Sequence, residues 1–321
     1  MCEERMGVSA ITFAGRGVER RVEMPFDVAS DVCRTCGACA FVCPTGHIKL
    51  EDISANPPRP IQSEFDTALG ARSAIYVPFP QAIPNTPVID PKVCMHFLAN
   101  TCGTCQDVCK VGAINYEQKE EKVKLKVGSI IVAPGYQPFD PTLLKAEYGY
   151  GRMSNVLTSL QYERILSASG PFQGQVLRPG DGRHPEKVAW IQCVGSRDET
   201  CNREYCSSVC CMYATKQAII TREHDLRIKP TIFYNDIRAF GKGFERYYES
   251  ARNTFGVRYV RGIPSAIKEL QQSKNLLMEF TGEEGQKQQE EFDMVVLSHS
   301  RECCESPSTQ AEELGIDTDS S

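Results

Sequence analysis

The chain has 321 residues, with 36 Lys and Arg against 41 Asp and Glu and a formal net charge of -5. That length allows two or three domains around at least one sizeable core, and the mild acidity without a Lys/Arg-rich run excludes the usual footprint of nucleic-acid or membrane-surface binding. No apolar stretch approaches the roughly 20 residues of a membrane span, and the N-terminal MCEERMGVSAITFAGRGVERR lacks the apolar core of a secretory signal, so a soluble, cytoplasmic chain with no membrane insertion is expected.

In chain order, residues 1–30 read as an N-terminal arm. Residues 31–128 carry two cysteine loops, each followed by a short apolar stretch, His47-Ile-Lys-Leu and Gly112-Ala-Ile-Asn-Tyr, an internal duplication. Between the loops lies a proline-rich insertion, with a helix expected around Glu64 to Leu69. Residues 129–186 form a connection that opens on Ser129-Ile-Ile-Val-Ala133, whose continuous apolar run predicts a buried parallel strand. A helix is expected over Leu157 to Ser167 and a loop over Arg178 to Pro185. Residues 187–300 then show a βαβ rhythm: strand 187–192, helix 204–221, strand 231–235, helix 243–254 and strand 257–260. Two antiparallel strands (266–271 and 275–281) and a buried strand from Asp293 to Leu297 complete an α/β domain with a parallel sheet. Residues 301–321 read as a flexible acidic tail.

Sixteen cysteines make up about 5% of the chain, below the roughly 8–10% of a disulfide scaffold. Their gaps of two and three residues point instead to metal or redox chemistry in a reducing compartment. The first constellation is Cys33-x2-Cys36-x2-Cys39-x3-Cys43-Pro44. A cubane cluster needs four thiolates converging on a small volume; two-residue gaps let a tight loop supply three, and the fourth comes from further away. This is the run found in bacterial ferredoxins, whose last cysteine serves the other cluster where there are two. A zinc site more often uses two separated CxxC pairs. The second constellation is Cys94-x7-Cys102-x2-Cys105-x3-Cys109, with Lys110 in the place of proline. Exchange between the halves would put Cys33, Cys36, Cys39 and Cys109 on one [4Fe-4S] cluster and Cys94, Cys102, Cys105 and Cys43 on the other.

The third constellation is Cys193-x12-Cys206-x3-Cys210-Cys211, where a strand passes into a helix. A dinucleotide-binding protein keeps glycines at that junction so that pyrophosphate can approach a helix N-terminus. An anionic [4Fe-4S] cluster suits the same positive helix end. Cys206 and Cys210, four apart, would share a helix face, and Cys201 in the loop is either a substitute for Cys193 or a free thiol. Buried cysteines as simple core residues are the plainer alternative, but four of them converging on one junction argue against it. Cys2, Cys303 and Cys304 receive no role, and Trp190 reads as core. The five histidines are read as surface or packing residues, with His47 and His96 placed to hydrogen-bond cluster sulfur.

The stretches Glu64-Phe-Asp, Ala71-Arg72, AIYVPFPQAIPN (74–85), CGTCQDVCKVGAINYEQ (102–118), VGSIIVAPGYQPFD (127–140), YGYGRMSNVLT (148–158), IQCVGSRDE with YCSSVCCMYA, and DIRAFGKGFE (236–245) resemble the heterodisulfide reductase A-subunit family, iron–sulfur flavoproteins of methanogens and many anaerobic bacteria. The resemblance covers residues 31 to 300. It implies a two-cluster ferredoxin-like α+β domain inserted in a thioredoxin-reductase-like, Rossmann-type α/β fold, and Cys193, Cys206, Cys210 and Cys211 as ligands of a further cluster. The family's N-terminal half with GxGxxG, which holds FAD, is not matched here. Ile130 to Gly135 is similar to the family's A-T-G strand but cannot bind pyrophosphate alone, and Gly241-Lys-Gly243 lacks a third glycine and reads as a tight turn. A complete FAD site within this chain is therefore not expected.

Three functions follow as expectations. The first is an electron-transfer subunit of an anaerobic oxidoreductase complex, not a complete enzyme alone. It would relay single electrons through three [4Fe-4S] clusters between partners such as a flavoprotein, a hydrogenase or formate dehydrogenase module, or heterodisulfide reductase B/C-like subunits. The second is one part of a split flavoprotein that shares a bifurcating FAD site with another chain. The third is a zinc-stabilised scaffold.

Overall fold

The computed structural model describes residue 2 and residues 9–33, 39–40, 43–45, 47–53, 55, 61–100, 102–133, 135–282 and 285–302. Two compact units divide the chain: Met1–Phe65 with Gly70–Lys126, and Asp66–Leu69 with Val127–Ser321. The acidic tail from Cys303, and Cys36, Cys303 and Cys304 with it, lie outside the described residues.

The first unit is built of short pieces. Thr12–Ala14 pairs antiparallel with Arg21–Glu23 in the N-terminal arm. Ile61–Gln62 pairs with Ala71–Arg72, and Ile75–Tyr76 with Val88–Ile89. Strands this short bury little, and the proline-rich insertion is instead held by Arg72. Its guanidinium binds the carboxylates of Glu64 and Asp90 and lies 3.9 Å over the ring of Tyr76. The helix expected around Glu64 to Leu69 is a turn: Thr67 and Ala68 both take positive φ (51° and 67°), which ends any helix.

The second unit is an α/β sandwich. Its elements are β1 (Val156–Thr158), α1 (Ser159–Leu166), β2 (Lys187–Val194), α2 (Cys210–His224), β3 (Lys229–Tyr234), α3 (Phe244–Asn253), β4 (Arg258–Arg261), β5 (Ala266–Glu269), β6 (Leu276–Thr281), β7 (Lys287–Phe292) and β8 (Met294–His299). The main sheet is parallel throughout, in the order β4-β3-β2-β8-β1. Both faces of β2 and β8 are covered, which is why their sequences are continuous apolar runs. Val188, Trp190, Met294 and Val296 pack with Tyr162 and Ile165 of α1 and Ala214 and Ala218 of α2. Ala189, Ile191, Val295 and Leu297 pack with Phe139 and with Leu276, Met278, Phe280 and Phe292 of the antiparallel β5-β6-β7 sheet. Trp190 is fully buried, and its indole N–H donates to Gln217 Oε1 at 3.1 Å.

Several expected boundaries move. The helix expected from Leu157 starts at Ser159, because Thr158 ends β1 and caps α1: its hydroxyl accepts from Gln161 N (3.2 Å) and its N–H donates to Gln161 Oε1 (3.0 Å). The meander has three strands rather than two, β7 pairing along the whole of β6. The largest correction concerns Ser129-Ile-Ile-Val-Ala133. It belongs to no strand, and Ile130, Ile131 and Val132 are 62%, 92% and 45% exposed. Apolar character gives a strand a reason to be buried but not a neighbour, and among the described residues the edges of the five-stranded sheet are β1 and β4.

Candidate functional site: three groups of thiols

The helix expected from residue 204 begins only at Cys210, so Cys206 and Cys210 do not share a helix face. Residues 196–207 form a tied loop in place of the missing turn. Asp198 N donates to Arg203 O (2.8 Å), Arg197 N to Tyr205 O (2.9 Å), and Ser207 N to Ser196 Oγ (3.1 Å), whose hydroxyl in turn donates to Tyr205 O (2.9 Å). Cys193, Arg197 and Ser208 take left-handed φ of 62°, 56° and 62°. Strained backbone of this kind persists where the surroundings over-determine it. Two residues beyond Cys193, Gly195 takes φ +66°, and an added Cβ would stand 2.4 Å from the Phe139 ring, so only glycine fits there.

The end of β2 brings Cys193, and the loop brings Cys206, to the N-terminus of α2, where Cys210 and Cys211 occupy the first turn and are buried. Cys193 and Cys211 both hydrogen-bond to the sulfur of Cys210. Those bonds draw Cys210 far below the usual thiol range, the one from Cys193 most, while the bonds to Cys210 and burial push Cys193 and Cys211 upward. Cys206 lies within charge reach of Cys211 and accepts Ser208 N at 3.4 Å. Cys211 points to Asp236 O at 3.8 Å. No side chain caps α2 at Val209, so its first amides are open to a thiolate or another anion. Among the described residues no three His, Cys, Asp or Glu side chains are disposed for a single metal ion; the thiols contact one another through Cys210.

Cys201 stands apart from this group. Its thiol faces Asp198 Oδ2 at 3.5 Å and it packs on the core under the β5-β6-β7 sheet.

In the first unit, Cys94 stands immediately before the short helix Met95–Ala99, and Cys105 lies in the helix Thr104–Val108. Cys94 and Cys102 lie within charge reach of Cys105, and all three within charge reach of Tyr116. Burial, then the neighbouring thiols, push Cys105 and Tyr116 upward. His96 stacks on Tyr116 at 3.7 Å and its Nδ1 pairs with the carbonyl of Cys102 at 2.8 Å, so it meets a backbone oxygen rather than the expected sulfur.

Cys43 and Cys109 share a different setting. The Thr45 hydroxyl, at 3.4 Å, and the amides of Ile48, Thr45 and His47 turn to Cys43 and bring its thiol down to about 7. The amides of Ala113, Val111, Gly112 and Ile114 turn to Cys109, Ala113 N at 3.3 Å, and lower it too. His47 therefore reaches sulfur through its backbone and not its ring. Cys33 and Cys39 are half-buried.

The donor set fits iron–sulfur chemistry. Twelve cysteines stand in three runs of four, and sulfurs that accept several backbone amides are stabilised as thiolates. Ser207 adds a further test. Its hydroxyl lies on the Cys210 side of the third group, is buried, and makes no hydrogen bond of normal geometry among the described residues. A buried donor without an acceptor is costly, and a sulfur-rich anion beside Cys210 would supply the acceptor. Gly241 and Gly243, with φ of 101° and 88°, shape the turn that starts α3, as the tight-turn reading expects.

The sequence patterns assign no role to Arg197, Ser207, Asp236 or Arg238, and read His299 as a surface or packing residue. Arg197 pairs with Asp236, which also binds Arg238 Nε at 2.9 Å. His299, at the end of β8, is buried, which pushes its imidazole pKa down, and its Nε2 lies 3.3 Å from Ser159 Oγ. The only signal for Arg197 and Asp236 was their place in the stretches GSRDE and DIRAF, close to cysteines in sequence or in fold.

A parallel α/β sheet with a thiol-bearing helix N-terminus at its carboxyl edge is compatible with a Rossmann-like domain whose helix end carries sulfur ligands. The chain belongs to the family of heterodisulfide reductase iron–sulfur A subunits. It is 46% identical over 275 residues to the iron–sulfur A subunit of the CoB–CoM heterodisulfide reductase of Methanocaldococcus jannaschii, covering 85% of this chain and 39% of that protein. It is 44% identical over 294 residues to the A subunit of the H(2)/formate:CoB-CoM heterodisulfide,ferredoxin reductase of Methanococcus maripaludis, 91% and 42% of the two chains. With the A subunit of the ferredoxin:CoB-CoM heterodisulfide reductase of Methanosarcina mazei the identity is 37% over 297 residues, 92% and 34%. The chain thus spans about two fifths of the length of the curated relatives it matches. No protein-family profile matches it.

Proposed function

We propose that this chain is an electron-transfer component of a heterodisulfide-reductase-like complex, carrying single electrons through three [4Fe-4S] clusters between partner proteins in the cytoplasm. The observation that carries the reading is the meeting of Cys193, Cys210 and Cys211, with Cys206 beside them, at the uncapped start of α2. On this reading residues 31–128 are a two-cluster ferredoxin-like domain and residues 187–300 a thioredoxin-reductase-like domain bearing the third cluster. Residues 1–30 are an arm, 129–186 a connection and 301–321 a tail. The partners are further redox subunits: a flavoprotein, a hydrogenase or formate dehydrogenase module, or B/C-like subunits.

When bound, each cluster would supply a one-electron store whose potential depends on its charge and hydrogen bonds. Cys33, Cys36, Cys39 and Cys109 would hold the first, Cys94, Cys102, Cys105 and Cys43 the second, and Cys193, Cys206, Cys210 and Cys211 the third. The chain's own residues do the rest. The amides after Cys43 and Cys109 stabilise negative sulfur, and those at the start of α2 face the third group. The buried walls of Trp190, Tyr162 and Ala214 exclude water from the sheet beneath it.

Anaerobic preparation of the full chain, with iron and acid-labile sulfide measured, tests the proposal. Twelve irons per chain with matching sulfide are expected from three four-iron clusters, and Cys210→Ala should remove a third of the iron and one EPR signal while the other two persist. Zinc without sulfide would select the scaffold reading. The split-flavoprotein reading draws on one observation, the exposure of Ile130, Ile131 and Val132, an apolar edge suited to another polypeptide. Flavin absorbance in an isolated complex, absent from the isolated chain, would favour it.

A further inference from the structure

Arg197 follows Cys193 by four residues, and its N–H donates to Tyr205 O (2.9 Å), the carbonyl of the residue before Cys206. Its φ of 56° turns the loop at that point. From there its guanidinium pairs with Asp236, whose carbonyl faces the Cys211 thiol and whose carboxylate also holds Arg238. The ion-pair chain Arg197–Asp236–Arg238 therefore clamps the third thiol group from two loops and leaves one positive charge in excess. We propose that Arg197, pinned by Asp236, is the counter-charge that sets the reduction potential of the third cluster.

The inference rests on the proposed function, since it presumes a cluster on these cysteines. Its physics is simple. Reduction at the site takes one electron from an external donor, forms and breaks no bond, and adds one negative charge. Arg197 stays protonated in both states, so its attraction grows with the added charge and favours the reduced form. Cys193 and Cys206 both lie within charge reach of the guanidinium, while Asp236 takes part of its field. The half-exposed setting of the pair, 30% and 41% for the two side chains, leaves the interaction open to screening by salt.

The test is an EPR-monitored titration of the anaerobic full chain with dithionite, following the signal that Cys210→Ala removes. Arg197→Gln should lower the ratio of reduced to oxidised cluster at a fixed potential about tenfold, equal to about 59 mV for one electron. Arg197→Lys, which keeps the charge and loses the planar fork, should stay within about twofold of the parent. Asp236→Asn, which removes the nearby negative charge, should move the ratio the other way. An Arg197→Gln ratio within about twofold of the parent overturns the proposal. If that variant loses the signal altogether, Asp236→Asn decides: easier reduction supports the counter-charge and no change overturns it. A parent chain without any signal dependent on Cys210 would instead defeat the cluster reading itself.

Discussion

Cys43 and Cys109, 66 positions apart in the numbering, sit in matching backbone settings. Each sulfur faces amides of residues two to five positions further along the chain, those of Thr45, His47 and Ile48 for one and Val111 to Ile114 for the other. The backbone just after each cysteine loop therefore turns toward the loop's last sulfur in the same way. Cys105 feels the charge of Cys102 and Cys94 after burial, whereas the surroundings that lower Cys109 are its own following amides. The last cysteine of the run thus has surroundings separate from those of Cys105.

That separation supports exchange of the fourth ligand between halves. Cys109→Ala and Cys33→Ala should then abolish the same cluster signal, and Cys43→Ala and Cys94→Ala the other. Mössbauer or EPR spectra of the four variants decide it. Loss of one common signal in Cys94→Ala and Cys109→Ala would mean that each half keeps its own cysteines.

Gly195 is where the third site is joined to the core. Gly195→Ala would force a Cβ to 2.4 Å from Phe139 Cδ1 at a φ of +66°. Left-handed backbone costs about 1–2 kcal/mol and overpacking about 1–3 kcal/mol more. In a Phe139→Ala background the steric part should vanish, leaving only the backbone cost. A double-mutant cycle by urea denaturation measures the difference, and equal costs in both backgrounds would show that Phe139 is not the obstacle.

Glu290 of β7 binds Lys187 Nζ of β2 at 3.1 Å and pairs with Arg258 of β4, joining the small sheet to the large one. Burial raises its carboxyl, but Arg258 and then Lys187 outweigh that and hold it below 4.5. A carboxylate lowered by folding contributes stability that is fully present above the unfolded value and is lost as the pH falls through the folded one. Glu290→Gln should therefore cost about 0.2–1 kcal/mol at neutral pH. The gap to the parent should close on acidification below about pH 4. Thermal unfolding at a series of pH values checks this, and a gap that persists at low pH would assign the loss to packing.

The sequence by itself determined the cysteine spacing, the apolar runs of β2 and β8 and the βαβ rhythm around them, because spacing and periodicity are local properties of a chain. Trp190 as core and Gly241 and Gly243 as a turn were legible for the same reason. What only the tertiary structure decided were relations between distant residues. Thr158 stops one element and starts the next through a capping box that apolar pattern does not reveal. Cys206 lies in a tied loop rather than on α2 because Ser196, Arg197 and Asp198 claim the backbone of residues 203–207. Ile130 to Val132 have the composition of a buried strand, but burial needs a neighbour, and composition cannot supply one. Arg197 and Asp236 meet across 39 positions, and no local pattern announces an ion pair whose partners come together only when two βα loops close over the same helix end.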